Sequence, residues 1–405
     1  MCLLMLIQLG CDYMKLEIID MDHKGNGIGR IDNKVIFIPK SVVGDICDID
    51  IYKEYKKYDI GRINKIIKKS DKRIDSICPY YEMCGGCNIS NLSYLEQLKF
   101  KVNKVKNIFK RYLDMEINPR VIRSNCEYGY RNKITYHVNK EIGLVSLYDG
   151  IINIDKCLLV SDKVNELYAL IKENDLSKVD KIVIKECDNG LILSIYGNME
   201  IDNLCDKCLS IYINDKCVYK DNDGYINIDD IKYKVSNKSF FQVNTSNIVS
   251  LYDEIVRYGE FKKSDKVIDL YCGVGSISLY ISKYVDSVLG IEIIEDAVRD
   301  AKENAILNKI ENAKFICGDV SKLIDDNIDC DVLIVDPPRI GLDNHTINVI
   351  NNTGIEKMIY VSCDPMTLVR DLSKLDNYEL KEISVVDMFP QTHHVECVIK
   401  LHRKK

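Results

Sequence analysis

Residues 267–279 read V-I-D-L-Y-C-G-V-G-S-I-S-L. Val267, Ile268 and Leu270 form a short apolar run that reads as a buried strand. Gly273 and Gly275 mark a tight turn, and the apolar residues after Ser276 open a helix. Glycines let a ligand approach the backbone, and a helix start offers free N–H groups. The next apolar run, S-V-L-G-I-E-I at 287–293, carries Glu292 near its end. It lies about 20 residues downstream, where a carboxylate suits a ribose diol. The pattern is D-x-x-C-G-x-G and lacks the third glycine of a dinucleotide fingerprint. With no pyrophosphate to cradle, a nucleoside such as S-adenosylmethionine fits better than NAD.

Working outward, the helical run 247–259 precedes this stretch, and E-D-A-V-R-D-A-K-E-N-A-I-L-N (295–308), K-F-I-C-G-D (314–319) and D-V-L-I-V-D-P-P (331–338) follow. Strands alternating with helices predict an α/β, doubly wound, mostly parallel sheet. Ligands sit at the carboxyl edge of such a sheet. Three features reach that edge. Asp336 ends the fourth strand before Pro337 and Pro338, which lack N–H groups and stiffen the turn. Cys363 leaves the apolar run M-I-Y-V into Asp364-Pro365. A lone cysteine is usually a small buried apolar residue, but beside Asp336 and Glu292 it is a candidate nucleophile. Glu396 lies inside the alternating strand H-V-E-C-V-I-K-L, an unusual place for an acid unless it is paired or working. It is a candidate general base; His393 and His394 read as structural.

Upstream, short strands with Gly- and Asp-rich turns (15–21, 35–40, 45–52, 58–67) predict a small β-barrel. It exits through Lys65, Lys68, Lys69, Lys72 and Arg73. C-P-Y-Y-E-M-C-G-G-C at 78–87 holds Cys78, Cys84 and Cys87 in a C-x5-C-x2-C pattern that implies a metal or iron–sulfur site. Cys126 and Cys157 are candidates for the fourth ligand, and zinc is the simplest occupant. The run 92–113 reads as a helix with Leu95, Leu98, Val102, Val105 and Phe109 on one face. Lys99, Lys101, Lys104, Lys106, Lys110 and Arg111 lie on the other, as on a surface that meets a polyanion. Residues 121–235 read as strands and turns with few helical signals.

The composition sets bounds. The chain has 405 residues, a formal charge of -6 and 46% hydrophobic residues, enough for two or three domains. Net charge does not advertise a nucleic-acid partner, so RNA binding rests on local basic patches. The 17 cysteines are scattered over a long chain, which argues against a disulfide framework and for a reducing cytoplasm. No apolar run of about 18 residues is present, so no membrane segment is expected. The first ten residues lack the basic start and cleavage site of a signal peptide. Residues 1–13 read as an extension, with Met14 an alternative start.

Together S-F-F-Q-V-N, D-L-Y-C-G-V-G, G-I-E, V-D-P-P-R, V-S-C-D-P and H-H-V-E-C-V, in that order, resemble the RNA uracil-5-methyltransferase family over nearly the whole chain. The resemblance implies a Rossmann-like S-adenosylmethionine methyltransferase domain at 236–405, an OB-like TRAM β-barrel for RNA at 1–73 and a β-rich central domain at 74–235. It implies cofactor contacts at Gln242, Tyr271, Glu292, Asp319 and Asp336, with Cys363 as nucleophile and Glu396 as base. A 4Fe-4S cluster would sit on Cys78, Cys84, Cys87 and Cys157. Ser276 stands where some relatives have Asn, and Phe240 and Phe241 could stack on an unpaired base. The expected reaction is methylation of uridine C5 in RNA, with 23S ribosomal RNA favoured over transfer RNA. No membrane or protein partner is implied. An amino-group methyltransferase would place an aromatic residue where Arg339 follows the prolines. An RNA-binding protein with a zinc knuckle and an inactive methyltransferase domain would not need Asp336, Cys363 and Glu396 together.

Overall fold

The computed structural model describes residues 14–238, 241–324 and 328–405. Backbone contacts divide the chain into two compact units. The first comprises residues up to Glu82 with Cys87–Gln97 and Gln391–His393; the second comprises Met83–Gly86, Leu98–Pro390 and His394–Lys405.

The first unit contains a six-stranded sheet. Met14–Glu17 pairs with Ile46–Glu54, and Asp20–Met21 pairs with Gly27–Ile31. These two short strands are the ends of the sheet order, yet they are one stretch of chain broken only at Ile18–Ile19. The sheet therefore wraps back on itself. Leu16, Ile18, Ile36, Ile38, Cys47 and Ile49 fill the interior, as strand alternation requires. Arg73 does not join the basic exit: its guanidinium is buried against Asp45 at 2.7 Å. An unpaired buried charge is too costly to persist, and the Asp45 carboxylate supplies its ion pair. Lys69 is paired with Asp75.

The second unit holds two larger sheets. In the central one, Lys133–Asn139, Val179–Cys187 and Gly190–Gly197 form an antiparallel middle. Its apolar face is covered by a helix, Asp162–Lys172, whose Tyr168 stacks on Tyr136 with ring centroids 4.0 Å apart. The sequence reading expected few helices in this region. Ser161, which accepts from Val164 N–H as N-cap, is the signal for this one.

The catalytic sheet has eight strands: β1 (Arg120–Ile122), β2 (Lys266–Leu270), β3 (Ser287–Glu292), β4 (Ala313–Cys317), β5 (Val332–Val335), β6 (Lys357–Ser362), β7 (Tyr378–Val386) and β8 (Glu396–Arg403). They pair in the order β4-β3-β2-β5-β6-β8-β7-β1. Strands β2 to β6 are parallel, and β8 runs antiparallel between β6 and β7. The inner parallel strands β2, β5 and β6 are mostly apolar because both faces are covered, whereas the edge strand β4 is exposed at Lys314, Ile316 and Cys317. The helix Tyr94–Leu113 adds Val105, Ile108 and Phe109 to the core beside Leu270, Val335 and Tyr360. Together with β1, this joins residues 98–122, grouped by sequence with the central domain, to the catalytic sheet. Lys101 is not on the helix's basic face: it is fully buried, 2.5 Å from Asp387.

Candidate active site

The turn after β2 contains three left-handed residues: Tyr271 (φ 65°), Gly273 (φ 54°) and Gly275 (φ 74°). A non-glycine residue there is strained by about 1–3 kcal/mol. Tyr271 is held in place because its N–H and that of Cys272 both donate to Ile291 O, at 2.9 and 3.1 Å. A Cβ on Gly275 would stand 2.7 Å from the Phe315 ring, whereas a Cβ on Gly273 would meet nothing within 4 Å. The turn is thus packed from below at Gly275 and open above Gly273. Glu292 closes the other side. Its two carboxylate oxygens accept from Gly273 N–H at 3.1 Å and Ile294 N–H at 2.9 Å. The carboxylate is fixed beside the open turn with further lone pairs available.

The remaining expected cofactor residues are distributed as follows. Asp319 caps the short helix Val320–Leu323, with Oδ1 accepting from Ser321 N–H and Oγ; these bonds hold its carboxyl below its ordinary range. Gln242 is anchored by its backbone oxygen, which accepts from Asn132 Nδ2 at 2.9 Å. Ser276 starts the helix Ser276–Ser282. Asp269 accepts from Ser278 Oγ, while its buried Oδ1 has no hydrogen-bond partner. Burial pushes Asp269 up to about 7. Phe241 is buried in the core; Phe240 lies outside the described residues.

The reacting edge depends on a change of strand direction. Cys363 follows β6, and Glu396 begins antiparallel β8. The register pairs Ser362 with Cys397, so the next position sets Cys363 opposite Glu396. Asp336 follows the adjacent β5. Burial, then Glu396 and Asp336, push the Cys363 thiol up to about 12 against the opposing charge of Arg339. Glu396 is 2% exposed. Burial, then Asp336, hold its carboxyl well above its usual range, again opposed by Arg339. Asp336 rises to about 7, through burial and then Asp269. Burial thus favours the uncharged form of each of the two facing groups. His394 is kept neutral, at about 4, by burial and then Arg339, Lys104, Lys101 and Arg131.

Sequence reasoning gave Arg339 no role. Its signal was its place directly after the two prolines. The turn presenting it is clamped: Thr367 Oγ1 donates to Arg339 O at 2.9 Å and Arg370 to Ile340 O at 2.7 Å. A second missed group is the support of the loop before Glu396. Lys101 Nζ reaches Asp387 and Phe389 O, Asn244 reaches Met388 O, Asn247 reaches Asp387 O and Tyr130 OH reaches Pro390 O.

The cysteines of the knuckle divide between the units, with Cys78 and Cys87 in the first and Cys84 and Cys157 in the second. Cys84 Sγ accepts from Gly86 N–H at 3.4 Å. Cys157 N–H donates to Asn165 Oδ1 at 2.9 Å. Among the described residues no three His, Cys, Asp or Glu side chains stand together as a metal-holding group. No described helix is long and apolar enough to cross a membrane.

Comparison with known proteins identifies the family. The family profile "tRNA (Uracil-5-)-methyltransferase" matches residues 210–404 and the TRAM domain profile matches residues 13–63. An uncharacterized RNA methyltransferase of Clostridium acetobutylicum is 34% identical over 97% of both chains. One of Halalkalibacterium halodurans is 31% identical over 97% of both. The crystal structure of Pyrococcus abyssi tRNA (uracil-54, C5)-methyltransferase in complex with S-adenosyl-L-homocysteine has 26% identity and a TM-score of 0.79, covering 96% of this chain and 100% of that one. The chain carries a Rossmann-like methyltransferase fold and an N-terminal TRAM domain, and it belongs to the RNA (uracil-5-)methyltransferase family.

Proposed function

We propose that this enzyme methylates C5 of a uridine in RNA, with Cys363 as covalent nucleophile and Glu396 as base. The observation that supports this most is the β6–β8 register, which faces the two side chains across adjacent strands. Uracil C5 is a poor nucleophile. As the Cys363 thiolate, its proton released to solvent, bonds C6 through Sγ, the C5=C6 electron pair shifts to C5 and O4 and makes C5 nucleophilic. S-adenosylmethionine, when bound, supplies the electrophilic sulfonium methyl group that C5 takes. Glu396 then removes the C5 proton, the C6–Sγ bond breaks and its electron pair returns to sulfur. Covalent catalysis divides a hard step into easier ones. Arg339 draws both groups toward their ionised, reactive forms. The target base must leave its stack to be reached by both residues.

The site suits the cofactor. The space above Gly273 is open, and the fixed Glu292 carboxylate suits a ribose diol. Tyr271, Gln242, Asp319 and Asp336 are the other contacts in this reading. Ribosomal RNA, specifically 23S, is the favoured substrate by analogy with cluster-bearing relatives; the Pyrococcus neighbour, named for a tRNA uridine, supports transfer RNA as the second reading. Cys78, Cys84, Cys87 and Cys157 are a donor set of the right type and number for a 4Fe-4S cluster, and the Gly86 N–H donates to Cys84 Sγ at 3.4 Å. Iron and sulfide analysis of anaerobically purified protein tests this; metal-free protein, or zinc in its place, removes the cluster. The cytoplasm, where RNA and reduced thiols coexist, is the proposed location.

The deciding experiment is mass spectrometry of nucleosides from ribosomal and transfer RNA, separated, from cells with the gene, without it and with Cys363→Ala. The expected result is loss of 5-methyluridine from one fraction in both altered strains. Full 5-methyluridine in the Cys363→Ala strain, with loss in the deletion, would refute the covalent mechanism.

A further inference from the structure

Among the described large apolar side chains only Ile306 is more exposed than Ile340, at 78% against 76%. Their settings differ. Ile306 lies in the last turn of the helix Glu295–Leu307, where a single exposed apolar residue is ordinary. Ile340 stands directly after Arg339, whose charge reaches both Cys363 and Glu396.

The turn that carries Ile340 is fixed from several sides. Gly341 N–H donates to Pro338 O at 2.7 Å. Thr367 Oγ1 donates to Arg339 O, and Arg370 Nη2 to Ile340 O and Leu342 O. Asp371, fully buried, accepts from Leu342 N–H at 2.8 Å and from the Tyr360 hydroxyl of β6 at 2.6 Å. Pro337 and Pro338 have fixed φ angles. At Gly341 φ is 78°, and a Cβ there would collide with Thr367, Arg370 and Asp371. Thr367 and Arg370 belong to the helix Pro365–Leu372, which begins two residues after Cys363. The turn is therefore tied to the segment that carries the nucleophile. A rigid backbone that holds an apolar side chain out in water does nothing for folding, because that area is not removed from water. It is what a wedge needs, since a side chain that parts two stacked bases must not yield when pushed.

We propose that Ile340 enters the base stack as the target uridine leaves it and keeps the gap from closing. This rests on the RNA reading above and adds how the uridine is held out. Cys363 and Glu396 can reach the uracil ring only when it is out of its stack. The gap left behind exposes the flat face of a neighbouring base, and an apolar side chain covers that face without asking for a hydrogen bond. Isoleucine is branched at Cβ and stiff at χ1, so it loses little rotamer freedom on insertion.

The test uses the full-length protein and a hairpin RNA whose loop uridine is followed by 2-aminopurine, a base that brightens when it loses its stacking partner. Wild-type protein should brighten the probe on binding, without cofactor. Ile340→Ala should lose most of that rise and slow methyl transfer by about 10–100-fold, the worth of one buried aliphatic side chain. Ile340→Leu should restore most of both, and Ile306→Ala, equally exposed, should change neither. A second hairpin with abasic residues on both sides of the uridine has no stack to part. On it Ile340→Ala should turn over as fast as wild type, whereas a merely structural role would slow both RNAs alike. No brightening by wild type, full brightening by Ile340→Ala, or an equal deficit on the abasic RNA overturns the wedge. The fluorescence needs no methyl transfer, so brightening that depends on Ile340 without any 5-methyluridine keeps the wedge and refutes the reaction instead.

Discussion

Replacing Asp336 by Asn should make the protein more stable while disabling it. Asp336 sits at the end of β5, where burial and the neighbouring Asp269 raise its carboxyl from 3.8 to about 7. At about 1.4 kcal/mol per tenfold change in proton affinity, that rise corresponds to a ceiling of about 4 kcal/mol. The side chain is only partly buried, and discounting for solvent screening leaves about 2 kcal/mol. The sign follows from the direction of the shift. Below about pH 4 folded and unfolded chains both hold the proton, and the group costs nothing. As pH rises toward 7 the unfolded chain releases the proton freely while the folded one must keep it, so stability falls and stays lower above that. Asparagine has no proton to lose. The measurement is urea unfolding of wild type and Asp336→Asn at about pH 4 and pH 8, with methyl transfer assayed alongside. The variant should gain about 2 kcal/mol at pH 8, little at pH 4, and lose turnover. A gain of equal size at both pH values, or none at pH 8, would refute the electrostatic account of this site.

Glu396→Gln should slow turnover by about 10²–10⁴-fold, the usual contribution of a general base, and leave a protein–RNA adduct on denaturing gels; rapid turnover without adduct removes Glu396 from that role. Lys101→Met strands the Asp387 carboxylate in the core and should cost about 3–5 kcal/mol. Most of that should return in Lys101→Met/Asp387→Leu, and a single variant as stable as wild type would show that the ion pair holds nothing. Gly275→Ala drives a Cβ into Phe315 at a φ of 74°. A destabilisation of about 2–4 kcal/mol is expected, with weakened S-adenosylmethionine binding by calorimetry. Unaltered affinity and melting temperature would mean that the turn tolerates reshaping.

The catalytic domain was largely legible because its cues are local. A strand that must be buried on both faces is a continuous apolar run, and a turn that needs positive φ uses glycine, so β2, its turn and Glu292 could be placed from residues 267–293 alone. Asp336 and Cys363 were found by the same logic, as polar residues ending apolar runs. What was not legible depends on partners far away in sequence. Nothing around Arg120 announces that it will add an eighth strand beside β7. Lys101 reads as one more lysine of a basic helix although it precedes the buried Val105 and Ile108 by four and seven residues, and its partner Asp387 lies nearly three hundred residues later. Arg339 bears on Cys363 and Glu396 only through its charge, a matter of placement in the fold rather than motif. Arg73 was misread for the same reason, since its carboxylate partner, Asp45, lies on another strand.

The facing of Cys363 and Glu396 carries a consequence for tolerance to insertion. Their separation is set by the ladder between β6 and β8, not by the chain that connects them. Residues added to the exposed turn near Ser373 and Lys374 would lengthen the covalent path without moving either side chain. A shift of one residue in the ladder would be far more damaging, because it would turn Glu396 to the opposite face and present Val395 or Cys397 in its place. The proposed reaction is thus insulated from changes in loop length and exposed to changes in strand alignment, and the buried Cys397, Val398, Ile399 and Leu401 of β8 are what keep that alignment.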